Sequence, residues 1–206
     1  MTAKPDKQNH GGVAAFISDA VGYKLIVAPF QPTKFESVCF SVSCSSATVV
    51  VLLIYRPGSE SVTEIFFTEL TKYLEAIALY KCQIVIAGDL NIHTERPNDS
   101  NTRTLFDILN SFDCVQHVPS VPTHKDGGTL DLIITKSEQQ IEQLKVDPPG
   151  IISDHSLISW CVPILRQAPI VHEREVRPSN KLDTDQFRIT LLSSPLCIDS
   201  EKLQMS

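Results

Sequence analysis

Apolar positions change their spacing several times along the chain, and the changes mark out its elements. Thr48–Tyr55 is apolar at nearly every position and rich in β-branched residues. Its length and its stop at Arg56-Pro57-Gly58 predict a strand buried on both faces. Ser61 and Glu64 then stand at capping-box spacing. Val62, Ile65, Phe66, Leu70, Leu74 and Ile77 follow at helical intervals, with Glu69, Lys72 and Glu75 among the polar positions. A helix is predicted here. Gln83–Ala87 reads as a buried strand running into Gly88-Asp89, and Leu105, Ile108, Leu109 and Phe112 predict a second amphipathic helix from about Thr102 to Phe112. Thr129–Thr135, after a Gly127-Gly128 turn, and Leu157–Val162, closed by Pro163, are further strands. Upstream, Gly11–Ile17 reads as a strand; Leu25–Ala28 and Ser37–Val42 are weaker candidates, broken by Pro29 and Pro32. Strands alternating with helices predict an α/β fold.

Beyond Arg166 the pattern loosens. Gln167–Lys181 carries Pro169, Pro178 and the charged stretch His172-Glu173-Arg174-Glu175, which reads as a linker. A short helix is expected after it, capped by Asp183, with Gln186 three residues on and Phe187 and Leu191 on one side. The chain thus divides into a polar extension (residues 1–10), a core domain (11–165) and an appendage (166–206).

Composition narrows the class. The 206 residues are 42% hydrophobic and 20% charged with net charge −6, which fits a globular domain and excludes a disordered chain. No apolar run approaches the ~20 residues of a membrane span, and Met1–Gly12 contains no signal-peptide h-region. An intracellular, nuclear or cytoplasmic protein is expected. The acidic balance argues against coating nucleic acid by bulk charge, though not against cleaving a phosphodiester with a metal. Six cysteines (Cys39, Cys44, Cys82, Cys114, Cys161, Cys197) form no Cys-x-x-Cys pair. They are expected as reduced thiols rather than zinc ligands or disulfides.

Candidate chemistry gathers where buried strands end, the place where ligands bind in α/β sheets. Asp89 and Asn91 follow one strand and, in extended backbone, point to one side. A plain turn after the strand is the alternative. Asp131 lies within the Thr129–Thr135 strand, where a carboxylate needs a partner unless the strand is an exposed edge. Ser153-Asp154-His155-Ser156 precedes the last strand and offers an imidazole that can be this partner; a solvated loop pair is the alternative. Taken together, Asp89, Asn91, Asp131, Asp154 and His155 suit hydrolysis of a phosphate ester, with hard oxygen ligands for Mg²⁺, an acidic group acting on water and a carboxylate-fixed histidine.

The motifs Gly88-Asp89-Leu90-Asn91, Gly128-Thr129-Leu130-Asp131 and Ser153-Asp154-His155-Ser156, in this order, resemble the endonuclease/exonuclease/phosphatase superfamily. With Tyr55-Arg56-Pro57, Pro122-Thr123-His124 and the hexad Gly88–His93, the chain looks like the apurinic-type endonuclease domain of non-LTR (LINE-like) retrotransposons. Residues Lys181–Cys197 are similar to the connector between that domain and the reverse transcriptase. The resemblance implies a sandwich of two packed sheets with outer helices, a Mg²⁺ cofactor (Mn²⁺ as a substitute) and DNA as substrate. It implies that Asp89 orients or deprotonates the attacking water and that Asn91 hydrogen-bonds the scissile phosphate. Asp154 would belong to the metal side, His155, oriented by Asp131, would contact a phosphate oxygen, and Tyr55 would be the active-site tyrosine. No step is assigned to His93. The family's opening β-α-β portion, with its Asn and its metal-binding Glu, has no counterpart before Gly11, and Glu36 belongs to a later strand. An N-terminally truncated, impaired nuclease is therefore expected, with a non-catalytic, retrotransposon-derived remnant as its rival. A small-molecule phosphatase fits the tail poorly, and a Ser-His-Asp hydrolase lacks its Gly-x-Ser-x-Gly elbow.

Overall fold

The computed structural model describes residues 12–44, 47–163 and 183–194. The chain divides into two compact units, Met1–Gln167 and Ala168–Ser206. In the first, strands β1 (Gly22–Leu25), β2 (Glu36–Cys44) and β3 (Ala47–Tyr55) form an antiparallel run. Helix α1 (Glu64–Ala78) then carries the chain back so that β4 (Gln83–Asp89) pairs parallel to β3. After α2 (Ser100–Ser111) come β5 (Cys114–Gln116) and β6 (Asp131–Lys136), the latter antiparallel to β4. The six strands lie in the order β1-β2-β3-β4-β6-β5, and β7 (Glu142–Val146) and β8 (Ile158–Cys161) make a separate two-stranded sheet.

Side-chain alternation sends the two faces of the large sheet to different neighbours. Val50, Leu52 and Ile54 of β3, Ile84 and Ile86 of β4, and Leu132 and Ile134 of β6 share one core with Phe66, Leu70 and Tyr73 of α1 and Leu105 and Leu109 of α2. On the other face Ala87 and Ile133 pack with Val118 and the half-buried Leu53, Leu144, Ile158 and Trp160, so the small sheet covers this side. This is a sandwich with outer helices, the architecture expected. The burial of β3 is unequal, complete towards the helices and partial at Val51 and Leu53.

Several boundaries depart from expectation for identifiable reasons. Gly11–Ile17 is not a strand: among its described residues only Ala14 forms a bridge, because the other positions lack ladder partners. The strand expected at Leu25–Ala28 lies earlier, at Gly22–Leu25, although Ile26 still donates to the Cys39 carbonyl at 2.9 Å. Helix α1 is capped by Thr63 rather than Ser61, since Thr63 holds the extended backbone and its hydroxyl accepts from the Phe66 amide. Ile65 consequently faces solvent. Glu69, expected on the polar face, is buried and accepts from the Thr33 and Lys34 amides and the Thr33 hydroxyl, pinning the proline-rich loop to the helix. Helix α2 starts at Ser100 because Asp99 caps it. Strand β6 starts at Asp131 because the amides of Thr129 and Leu130 are taken by side chains of Glu95 and Thr123.

Cys39 and Cys114 are buried thiols, Cys82 is half-buried and Cys161 exposed, all of them free; the Cys44 side chain and Cys197 lie outside the described residues. Burial raises the Cys39 thiol to about 11. In the second unit α3 (Thr184–Leu192) forms as expected, capped by the Asp183 carboxylate, which accepts from the Asp185 and Gln186 amides. The linker expected at Gln167–Lys181 falls outside the described residues.

Candidate active site

Strand register builds the site. Tyr55 of β3 lies opposite Asp89 of β4, which lies opposite Asp131 of β6, so the three stand in a transverse row on the face turned away from the helices. Gly88 permits the close approach that sets this register. Its φ is +140°, and a Cβ there would stand 1.9 Å from the Ile54 carbonyl oxygen.

The turn after β4 is fixed from within. Asp89 accepts from the Asn91 amide at 2.9 Å and from the Asn91 side chain at 2.7 Å. Asn91 adopts φ 50°, a left-handed conformation that asparagine tolerates, and also donates to the Arg56 carbonyl at 2.8 Å. The Arg56 guanidinium, 4% exposed, donates to the carbonyls of Leu90, Asn91, Pro57 and Glu60. A buried arginine thus holds the acidic turn through its backbone. Burial lowers the Arg56 pKa despite the nearby carboxylates of Asp89 and Glu60.

Across the row, His155 Nδ1 lies 2.9 Å from the Asp131 carboxylate, while its Nε2 lies 4.0 Å from Asp89. Thr123 makes this contact possible. Fully buried, its hydroxyl accepts from the amides of Leu130 and Asp131, and its carbonyl accepts from the Ser156 amide beside His155. The electrostatics follow from crowding. Burial, then the charge of Asp131, raises Asp89 to about 6. Burial pulls His155 down, but the hydrogen bond and charge of Asp131, with Asp89 and Asp154, outweigh it and raise its pKa. The Tyr55 phenol is raised by burial and by the charges of Asp89 and Glu36. Asp89 and His155, 4.0 Å apart, are thus both shifted upward.

Tyr55, Asp89, Asn91, Asp131, Asp154 and His155 all line one open cavity of about 900 Å³. Their carboxylates do not form a single cluster. Donor atoms of Asp89, Asp131 and His155 lie within 4.8 Å of one another, whereas Asp154 groups with His155 and His124. Asp154 is half-exposed, 3.7 Å from His124 Nε2 and 4.0 Å from the Lys125 ammonium. His93 also lines the cavity, its Nδ1 held 2.8 Å from Glu95, whose other oxygen accepts from the Thr129 amide. The sequence reading passed over the parts played by Arg56, Thr123, His124 and Glu95. Its Tyr55-Arg56-Pro57 and Pro122-Thr123-His124 motifs contained three of them, without a signal for what they touch.

Residues 49–159, more than half of the chain, match the model of the family described as Endonuclease-reverse transcriptase. No curated protein matches the chain. Among solved structures, the endonuclease domain of TRAS1, a telomere-specific non-LTR retrotransposon, aligns with TM-score 0.56 and 13% identity over 71% of each chain. An endonuclease/exonuclease/phosphatase family protein from Leptotrichia buccalis aligns with TM-score 0.49 and 15% identity over 62% of this chain and 53% of its own. The 3′ phosphatase NExo from Neisseria aligns with TM-score 0.47 and 17% identity over 71% of this chain and 72% of its own. The first of these supports the sandwich fold.

Proposed function

Because the chain belongs to the endonuclease–reverse transcriptase family, we propose that its site is that of a divalent-metal phosphodiester hydrolase that nicks DNA, in the manner of a non-LTR retrotransposon endonuclease. The observation that carries this reading is the array Asp131–His155–Asp89, with Asn91 bonded to Asp89, at the edge of an open cavity. Asp89, raised to about 6, accepts a proton from water at neutral pH or holds that water in line. His155, kept in one orientation by Asp131, presents Nε2 to a phosphate oxygen. Both side-chain N–H groups of Asn91 are engaged, by Asp89 and by the Arg56 carbonyl, so its contact to the scissile phosphate exchanges one of these bonds. Tyr55 borders the same cavity.

The donor set fits Mg²⁺ or Mn²⁺ in kind, since carboxylate oxygens are the hard ligands these ions take. Asp154 would hold the ion. Bound there, it would supply electrostatic stabilisation of the phosphate's developing charge. One carboxylate leaves most of an octahedral shell to water and substrate. The 206 residues also supply no counterpart of the Glu and Asn that the family resemblance calls for. Turnover by this polypeptide is therefore set near background, and a non-catalytic DNA-binding module is the second reading, favoured by the grouping of Asp154 with imidazoles rather than with Asp89. By the resemblance of Lys181–Cys197, the residues after 166 would act as a connector to a reverse transcriptase.

The test is nicking of supercoiled plasmid in Mg²⁺ or Mn²⁺, by the 206-residue chain and by a fusion that restores the family's first β-α-β segment. The fusion should nick and lose activity with Asp89→Ala or His155→Ala. A folded but inactive fusion would overturn the hydrolase reading; robust nicking by the 206-residue chain would overturn its impairment.

A further inference from the structure

We propose that His124, Asp154 and His155 form a cation site selective for a borderline transition-metal ion of the Zn²⁺ class, and that its occupation blocks the hydrolytic site. The three donor atoms lie within 4.8 Å of one another, on two loops that the backbone has already joined. His124 and His155 pair as an isolated antiparallel bridge, flanked by Lys125 N–H to Asp154 O at 2.8 Å and Ser156 N–H to Thr123 O at 2.8 Å. The two rings meet edge to face with centroids 4.8 Å apart. Tetrahedral coordination at 2.0–2.2 Å places ligand atoms about 3.4 Å apart. His124 Nε2 and the Asp154 carboxylate are 3.7 Å apart, and Asp154, half-exposed, is free to adjust its rotamer.

The surroundings of the two imidazoles fit a metal better than a structural role. His155 donates from Nδ1 to Asp131, which leaves the Nε2 lone pair for an ion, the carboxylate–histidine–metal arrangement of many sites. His124 Nδ1 accepts from the Asp126 amide at 3.2 Å and lies 3.9 Å from the Asp126 carboxylate. Coordination through Nε2 selects the Nδ1–H tautomer, which gives up the bond from the Asp126 amide and places the proton beside the Asp126 carboxylate. Lys125, 4.0 Å from Asp154 and largely exposed, swings away. Two imidazoles and one carboxylate, open on the cavity side, suit Zn²⁺, Ni²⁺ or Co²⁺ over Mg²⁺, which prefers oxygen and keeps its water.

Blocking follows from sharing, and this part alone rests on the hydrolase reading. An ion on His155 Nε2 removes the group offered to the phosphate, and an ion on Asp154 removes the proposed Mg²⁺ ligand. Zn²⁺ binding itself needs no turnover, so the two readings fail separately.

The test is a titration of the folded chain with Zn²⁺ against a chromophoric chelator in millimolar Mg²⁺, repeated with Co²⁺ by its visible absorption. One equivalent should bind, and Mg²⁺ should not displace it. His124→Ala and Asp154→Asn should each weaken binding by about 100-fold or more, and Asp131→Asn by about tenfold, the range seen for partners behind a ligand. Asp89→Asn, which removes a charge 4.0 Å from His155 Nε2 but no proposed ligand, should weaken binding far less than His124→Ala, which separates this cluster from Asp89–Asp131–His155. Every variant keeps all six cysteines. Undiminished Zn²⁺ binding by His124→Ala would therefore assign the metal to thiols or to Asp89–Asp131–His155 and overturn the proposal, as would an absence of binding in the parent chain.

Discussion

The two rims of the cavity are built on opposite principles. The rim after β4 is rigid: Arg56 is buried against four carbonyls, Asn91 uses both side-chain N–H groups, and Asp89 is desolvated enough to be raised to about 6. The rim at 124–126 and 153–156 is held by backbone pairing, while its charged ends at Lys125, Asp126 and Asp154 are more than half exposed. Where a charge must be tuned, donors are saturated and water is excluded. On the second rim the charged groups stay in contact with solvent and the backbone does the holding.

Mutations can break this contrast, and the largest effect should come from the chemistry, which draws one group from each rim. In the fusion described above, Asp89→Ala and His155→Ala should each lower the nicking rate by about 10²–10³, the cost of removing one preorganised group. Next is Arg56→Ala, which strips partners from buried carbonyls. Chemical denaturation should register a loss of about 3 kcal/mol, and an unchanged midpoint would end the view that the guanidinium anchors the turn. Thr123→Val leaves the Leu130 and Asp131 amides unpaired and should cost about 2 kcal/mol.

A smaller effect, of opposite sign, tests the tuning. Asp89 is raised from 3.8 to about 6 in the folded chain, so the fold binds its proton more tightly than the unfolded chain does. The metal-free protein should therefore gain stability as the pH falls from 7 through 6 towards 4. Asp89→Asn should raise stability at pH 7 by about 1–2 kcal/mol, below the full linkage value because the Asn91 bond changes, with the gain gone near pH 4. A thermal melt that falls at pH 7 would contradict it. On the open rim Asp154→Asn should change stability by less than about 0.5 kcal/mol.

Much of this was legible in the chain. A buried run ending in Gly88-Asp89, and the loop Ser153-Asp154-His155 before the last strand, located the strand margins, and the partner inferred for Asp131 sits 2.9 Å away. Period and capping residues gave α1, α2 and α3 to within a few residues. Arg56, Thr123 and Glu95 were illegible because they act on main-chain groups distant in sequence, which leaves no periodic trace. β5 and β7 escaped because one has three residues and the other is largely polar and irregular around Gln143, where φ is positive. Gly11–Ile17 misled for the converse reason: a strand-like composition forms a strand only where another backbone lies beside it.

The register that unites Asp89 with Asp131 also sets a timetable. β3, α1 and β4 are consecutive and close on one another through nearby sequence. β6 and the His155 loop arrive only after a long excursion, and long-range pairings form late because closing long loops is entropically costly. The mutual repulsion of the two acids is thereby postponed until most of the sheet exists to bear it. A chain emerging from the ribosome carries no assembled array until His155 is out, by which point the strands that flank the centre have already been made.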